Sequence, residues 1–171
     1  MNRLAILFTM MLALLPLGAA ADAAPVQASS NATATVYIPA PAQVRKLQDL
    51  NFALLYVTAA GTAVVNPNTD TMSTTGGVAY AGWTPYAALF QGVAPVKGVV
   101  IIRLPKNPIT ITRIGGTETM TVDTWTLSGN AKRTVAEQEP FDFKVGGTLH
   151  VNANQAEGAY VGTFDVDIQY P

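Results

Sequence analysis

The chain has a single histidine, His150, which is the first residue to consider for catalysis. In the stretch TLHVN it alternates with Leu149 and Val151, so it belongs to the polar face of a predicted strand. A histidine acting as general base needs a nucleophile and an orienting carboxylate, and no serine here lies in a nucleophile-elbow motif. We therefore predict that His150 is a solvated strand residue and not a catalytic base.

Asn66, Asn68 and Asp70 alternate in NPNTD in the way that opens a calcium-binding loop. The sixth and twelfth positions of that loop hold Thr71 and Gly77 instead of glycine and glutamate, so an ordinary Asx-rich turn is predicted. The chain contains no cysteine, which excludes thiol catalysis and thiolate metal sites. We predict no catalytic residue, no metal site and no cofactor, and hence no enzyme.

The stretch YAGWTPYAALF, residues 80–90, is the one candidate for ligand binding because Tyr80, Trp83 and Tyr86 lie close together there. Exposed aromatic rings stack on a flat ligand such as a sugar ring, or form a protein contact. The alternative, which we favour, is that the three rings cover one end of the core.

The charges are few and scattered. The chain of 171 residues carries 10 Lys and Arg against 11 Asp and Glu, with no basic patch, so a nucleic-acid partner is not expected. Only 12% of the residues are charged while 49% are hydrophobic, which favours apolar surface covered by a partner.

The first residues have the pattern of a secretory signal peptide. Arg3 precedes an apolar run over residues 4–17, which is shorter than the ~20 residues that span a bilayer, and small residues follow up to Ala23. We predict that residues 1–23 are cleaved, leaving an N-terminal extension at 24–42 and a domain at 43–171. The protein would be exported to the periplasm, the cell surface or the medium, with no membrane span after cleavage.

Short runs rich in Val, Ile, Thr, Phe and Tyr alternate with Gly, Pro and Asn after the signal, which predicts an all-β sandwich or barrel of eight or nine strands. Specific expectations are strands at 31–38, 50–57 and 61–65, a polar loop at 66–77, and a hairpin around APVK at 94–97. ITITRIGGTETMTV predicts a second hairpin turning at Gly115 and Gly116. A change of apolar parity predicts a bulge near Asp123 and Thr124.

The chain ends in the regular alternation EGAYVGTFDVDIQYP. One face of this predicted last strand is apolar and the other is mostly polar. The apolar face carries Tyr160, Phe164, Val166, Ile168 and Tyr170.

With Gly158 fourteenth from the end and Tyr170 penultimate, this alternation resembles the C-terminal motif of chaperone–usher pilins. Nearly all of the mature chain also resembles domain-of-unknown-function family 4402, an uncharacterised family of secreted bacterial proteins that is itself regarded as pilin-like. The second resemblance rests on LQDLNFALLYVTAAGTAVVNP, GVVIIRLP, TMTVDTW and FKVGGTLHVNANQAEGAYVGTFDVDIQY.

The resemblance implies an immunoglobulin-like antiparallel β-sandwich that lacks one strand, which a neighbouring subunit completes by strand addition. The donor would be NATATVYI, with Ala32, Ala34, Val36 and Ile38 facing the recipient. The C-terminal interface would comprise Gly158, Tyr160, Phe164, Val166, Ile168 and Tyr170. The implied partners are further copies of the chain in a polymeric surface fibre, a periplasmic chaperone and an outer-membrane usher.

A second interpretation remains open. The segment at 31–38 would fold back as the first strand of its own domain, giving a self-complete secreted or surface β-sandwich. Such a protein would act in adhesion as a carbohydrate- or protein-binding module.

Overall fold

The computed structural model describes residues 33–38 and 40–171. Residues 37–171 form one compact unit in which every regular element is a strand, so the predicted all-β class is confirmed. The proposed signal peptide at 1–23, the extension up to Ala32, and residue 39 lie outside the described residues. Within the described part, no helix is long and apolar enough to span a membrane.

Eleven strands are assigned in the described residues, against the eight or nine expected. In chain order they are β1 (Gln43–Gln48), β2 (Leu54–Val65), β3 (Met72–Gly82), β4 (Ala88–Val93), β5 (Gly98–Arg103), β6 (Ile109–Arg113), β7 (Thr119–Leu127), β8 (Lys132–Val135), β9 (Pro140–Val151), β10 (Tyr160–Val161) and β11 (Asp167–Gln169).

The strands form two antiparallel sheets. The larger one has the order β1-β4-β9-β7-β6-β10, with β2 also pairing to β9 and β3 added outside β2. The smaller one has the order β11-β5-β8. Strand β9 joins the two halves of the larger sheet, because residues 140–145 pair with β4 while residues 148–151 pair with β2.

The core is divided in the same way as β9. One cluster lies under the second half of β9 and contains Ala63, Val78, Met120, Val122, Leu149 and Val151. Another lies under its first half and contains Ala88, Phe90, Ile102, Phe143, Val145 and Val166. In the latter, the rings of Phe90 and Phe143 stack with centroids 5.5 Å apart. A third, smaller cluster of Ala94, Val100 and Val135 lies beneath the small sheet.

Two local expectations are confirmed. Strands β6 and β7 form the expected hairpin, and Gly115 adopts a φ of 76° in the turn. The loop is longer than two residues, because Arg113 N donates to Glu118 O at 2.9 Å. The bulge is present as well: the β7–β9 register shifts between Asp123 and Thr126, and Thr124 has a φ of 47°.

Two expectations about loops and strands are wrong. The polar stretch at 66–77 is a loop only at its start, because β3 begins at Met72 and its threonines pair with β2. Threonine is β-branched and suits an exposed strand, so polarity alone misled the prediction. The two strands expected at 50–57 and 61–65 are one continuous strand that starts at Leu54 and contains a bulge between Val57 and Gly61.

The hairpin expected around APVK is also wrong. Strand β4 pairs with β1 and β9, whereas β5 pairs with β8 and β11, so the connection crosses from one sheet to the other. Gln138 N donates to Ala94 O at 2.8 Å, which gives this carbonyl a partner at the crossing. Strand β5 is central in its sheet, with Val100 and Ile102 buried and with Val99 and Ile101 on its other face half-buried.

Asp70 fastens the β2–β3 loop to the sandwich. Its carboxylate accepts a hydrogen bond from Ala87 N at 3.0 Å and another from Lys144 Nζ on β9. The Lys144 hydrogen bond is the main cause that lowers the pKa of Asp70 below its ordinary value, although partial burial opposes it. One carboxylate therefore links the loop, the start of β4 and β9.

We expect Asp70→Asn to lower the free energy of unfolding by about 1 kcal/mol, since a partly solvated ionic hydrogen bond is lost. Because the folded pKa is depressed, the contribution of Asp70 is present above its ordinary pKa of 3.8 and is lost as pH falls through the folded value. Urea unfolding of both proteins at pH 7 and at pH 3 measures this.

Asp49→Asn is the matched control, because Asp49 pairs with Lys46 only three residues away and its side chain is 74% exposed. It should change stability by much less. Equal losses for the two variants, or a loss for Asp70→Asn that is the same at both pH values, would contradict the assigned role.

Candidate functional site

A groove of about 1140 Å³ opens on one side of the sandwich between two chain segments, residues 51–57 and residues 156–164. We refer to it as the groove. Its floor is the first core cluster together with the inner side of β6, and is formed by Ile109, Ile111, Met120, Val122, Leu149 and Val151. The groove therefore gives access to apolar side chains that would otherwise lie inside a closed sandwich.

Each wall of the groove has a stretch of main chain that lacks a ladder partner on at least one edge among the described residues. Residues 54–57 of β2 pair with β3 on one edge, but β2 meets β9 only from Gly61 onwards, so the opposite edge has no ladder partner there. On the other wall, Tyr160 and Val161 pair with β6, and the five residues that follow belong to no ladder. Each wall can therefore accept a strand.

The first wall is shaped by a turn at Ala53 and by the β2 bulge between Val57 and Gly61. Ala53 has a φ of 59°, and its N–H donates to Asn51 Oδ1 at 2.6 Å, which starts β2 in a new direction. Leu55 and Val57 then pack against the floor cluster, whereas Tyr56 between them is 67% exposed. In the sequence, this wall is part of a run of six apolar residues at 52–57. Because both faces of such a strand are apolar, the run does not show which face points inward.

The second wall is fixed to the β6–β7 hairpin by polar contacts. Ile114 N donates to Ala159 O at 2.8 Å, and Arg113 Nη1 donates to Glu157 O at 3.5 Å. Arg113 is also ion-paired to Glu118 at 2.7 Å, and its aliphatic stem lies directly below Gly158. The Tyr160 hydroxyl donates to Ala156 O at 2.7 Å and accepts from Gln155 Nε2 at 2.8 Å. These bonds hold the residues before β10 in place.

Gly162 lets the second wall press closely on β6. A Cβ atom at this position would lie 2.7 Å from Ile111 Cγ2 and 2.8 Å from Thr110 O. Only glycine fits without a shift of the β6 main chain.

The C-terminal alternation agrees with the expectation in burial but not in pairing. Val166 is buried and the other predicted inward residues, Tyr160, Phe164, Ile168 and Tyr170, are half-buried, while the residues between them are exposed. The expected single strand is wrong: β10 pairs with β6, β11 pairs with β5, and the chain between them changes sheets along the groove. The middle residues have no neighbouring strand with which to form a ladder.

Phe164 closes one end of the groove. Its ring packs on Trp125 with centroids 4.5 Å apart and meets the edge of Phe90 at 6.1 Å. Trp125 Nε1 is buried and has no hydrogen-bond partner among the described residues. Sequence reasoning missed Trp125 as a groove residue, because its place depends on the β7 bulge and on Phe164 across the sandwich.

The lining limits what the groove can hold. Its only charged lining residues are Lys46, Asp49 and Glu157. Its volume exceeds the range of about 300–1,000 Å³ that is usual for small-molecule pockets. The described residues contain no group of His, Asp and Glu that could bind a metal ion. An extended apolar polypeptide matches this shape and chemistry better than an ionic substrate does.

The donor residues predicted from the sequence are only partly described. Ala32 lies outside the described residues. Residues 33–38, which include Ala34, belong to no strand, so the strand expected at 31–38 is wrong for its described part. Val36 is 82% exposed and Ile38 is 83% exposed, so neither side chain is packed in a core.

The expectation that the three aromatic rings cover one end of the core is wrong for Tyr80 and Trp83. Trp83 is 71% exposed and Tyr80 is 53% exposed, and the Tyr80 hydroxyl donates to the main-chain oxygen of Trp83. Trp83 lies at the rim of the groove. Tyr86 is half-buried, and its main chain forms a two-bond bridge with Asn51.

His150 has a carboxylate partner that the sequence did not reveal. Its Nε2 lies 2.8 Å from Asp123 Oδ1, and Thr124 Oγ1 donates to the same oxygen at 2.8 Å. The hydrogen bond from His150 is the main cause that lowers the pKa of Asp123. Neither residue lines the groove, and His150 is a solvent-facing strand residue as expected.

Comparison with protein families gives one match, to the family described as Domain of unknown function (DUF4402), over residues 42–170. The chain belongs to this family. The matched range contains both walls and the floor of the groove, so these are parts of the family's domain. No curated protein and no solved structure matched the chain.

We expect Gly162→Ala to destabilise the domain by about 1–3 kcal/mol, because the added methyl group overlaps the β6 main chain and pushes the second wall outward. Gly98→Ala is the control, since a Cβ atom at Gly98 meets nothing within 4 Å. Thermal unfolding of the two variants measures the difference. If Gly162→Ala were as stable as Gly98→Ala, the close packing of this wall on β6 would be wrong.

Proposed function

We propose that the protein is a pilin-like structural subunit of a bacterial surface fibre. Residues 31–38 of one subunit enter the groove of the next as a donor strand. The observation that carries the proposal is the groove itself, an apolar channel flanked on both sides by main-chain edges that form no ladder among the described residues.

A strand placed between these walls would remove two sources of instability together. Its main chain would pair with residues 54–57 and with residues 160–166, and its alternate side chains would fill the space above Met120 and Leu149. Unpaired edges beside exposed apolar residues are an aggregation hazard, and strand addition removes it.

The N-terminal segment has the chemistry of such an occupant. Ala34, Val36 and Ile38 alternate with Thr33, Thr35 and Tyr37, so one face is apolar. Residues 23–44 contain no charged side chain, which matches a groove whose charges are confined to Lys46, Asp49 and Glu157.

Burial of Val36 and Ile38 would contribute about 3–6 kcal/mol before the cost of ordering the segment. The alanines would add less, and the ladders on both sides would supply further hydrogen bonds. A contact from the N-terminal segment of one subunit to the groove of the next is head-to-tail and does not close, so it propagates into a filament.

The proposal includes export before assembly. Residues 1–23 would direct the chain out of the cytoplasm, and the groove would need cover until a donor strand arrives. A periplasmic chaperone that lends a strand and an outer-membrane usher that exchanges it would meet that need.

The test is the assembly state of the mature chain. We expect the parent protein to form filaments, and the double change Val36→Asp with Ile38→Asp to weaken subunit contact at least 100-fold, because two carboxylates cannot enter the apolar groove. Light scattering and electron microscopy measure assembly, and circular dichroism checks that the variant is folded.

The matched control carries Thr35→Asp and Tyr37→Asp, which place the same charges on the other face of the segment. It should still assemble. Equal inhibition by both pairs, or a parent chain that stays monomeric, would contradict the proposal. The exposed rings of Tyr80 and Trp83 would then favour the alternative, a self-complete adhesion module.

A further inference from the structure

Strand β3 is a long edge strand. It has eleven residues and pairs only with β2, so its outer edge has no ladder partner among the residues described. The side chains of Ser73, Thr75 and Ala79 along it are exposed. This edge is separate from the groove, because none of residues 72–82 is among the residues that line it.

Apart from the short β10, which lies in the second wall of the groove, the other outer edges of the two sheets carry charged side chains. Strand β1 carries Arg45 and Lys46, β8 carries Lys132 and Arg133, and β11 carries Asp167. Charged side chains and prolines on edge strands prevent pairing with other chains. Strand β3, with the sequence MSTTGGVAYAG, has neither.

The ladder fixes which main-chain groups of β3 point outward. Asn66 N donates to Thr71 O at 2.9 Å, which makes this a hydrogen-bonded pair. Bonded and non-bonded pairs alternate in an antiparallel ladder, so Ser73 and Thr75 exchange hydrogen bonds with β2. The N–H and C=O groups of Met72 and Thr74 therefore point away from β2.

We propose that β3 pairs antiparallel with β3 of a second copy of this chain, around a two-fold axis at Thr74. In this register Thr74 exchanges two main-chain hydrogen bonds with Thr74 of the other copy, and Ser73 lies opposite Thr75. The same edge serves both copies, so the contact is self-complementary and closed. The absence of charge on β3 leaves no repulsion between the copies.

The ladder is short, because Gly76 has a φ of 67° and departs from regular strand geometry. A contact of this size forms a weak dimer that dissociates on dilution. The pairing does not depend on strand donation; in a fibre it would join neighbouring filaments side by side.

The experiment uses the mature chain with Val36→Asp and Ile38→Asp, so that donor-strand assembly is blocked and only the β3 contact is measured. Sedimentation equilibrium should show a dimer whose fraction rises with protein concentration. Hydrogen exchange of the Thr74 amide should slow at least tenfold between the lowest and the highest concentration, because this N–H is free in the monomer.

Adding Ser73→Lys and Thr75→Lys should raise the dimer dissociation constant at least tenfold, since like charges then lie directly opposite each other. Adding Ser73→Glu and Thr75→Glu should do the same. A mixture of the two variants should restore association as a heterodimer, which a merely unfolded variant would not do.

The control adds Thr110→Lys and Thr112→Lys, which place the same charges on exposed threonines of β6, a strand inside the sheet. It should dimerise like the parent. The proposal is overturned if the parent is monomeric at every concentration, if the lysine pair on β3 still dimerises, or if mixing the opposite charges restores nothing.

Discussion

Main-chain hydrogen bonding is the constraint on which the structure depends. A β-sandwich is stable when its strands are paired and its apolar faces are covered, and unpaired polar groups beside an apolar surface are costly. Here the β2–β9 ladder ends at Gly61, so residues 54–57 pair only with β3, and residues 162–166 belong to no ladder, while Met120 and Leu149 lie below. The two walls and the floor together enclose the space in which the proposed donor strand would lie.

The rest of the fold holds these walls apart. Strand β9 pairs with β4 and then with β2, which places two core clusters side by side and leaves the start of β2 beyond the end of β9. The bulge before Gly61 and the left-handed residue Ala53 direct the first wall. Arg113 and Gly162 fix the second wall against β6. The groove therefore results from pairing and packing across the whole domain.

The sequence predicts the fold class because β-branched runs and turn residues are local signals. The β6–β7 hairpin and the bulge at Asp123 were predictable for the same reason, since glycines and a parity change lie within a few residues. The inward face of the C-terminal segment followed from its alternation. The sheet to which each strand belongs was not predictable, as β4 and β5 show, because pairing partners are distant in the chain.

The resemblance to pilins implied only a sandwich that lacks one strand, and most residues of the groove were not named in advance. Leu55, Val57 and Trp125 meet there through long-range pairing that no local pattern encodes. The exposure of Trp83 and Tyr80 was also not predictable, because an aromatic cluster in a strand-rich chain is as consistent with a core as with a surface.

The most direct measurement is the melting temperature of a chain that begins at Pro41, with and without a synthetic peptide of residues 25–40. If the groove takes the N-terminal segment from another chain, the truncated domain alone should melt at a lower temperature than the mature chain. The parent peptide should then raise its melting temperature, and a peptide with Val36→Asp and Ile38→Asp should not. A truncated domain that is monomeric, equally stable and unaffected by the peptide would contradict the account.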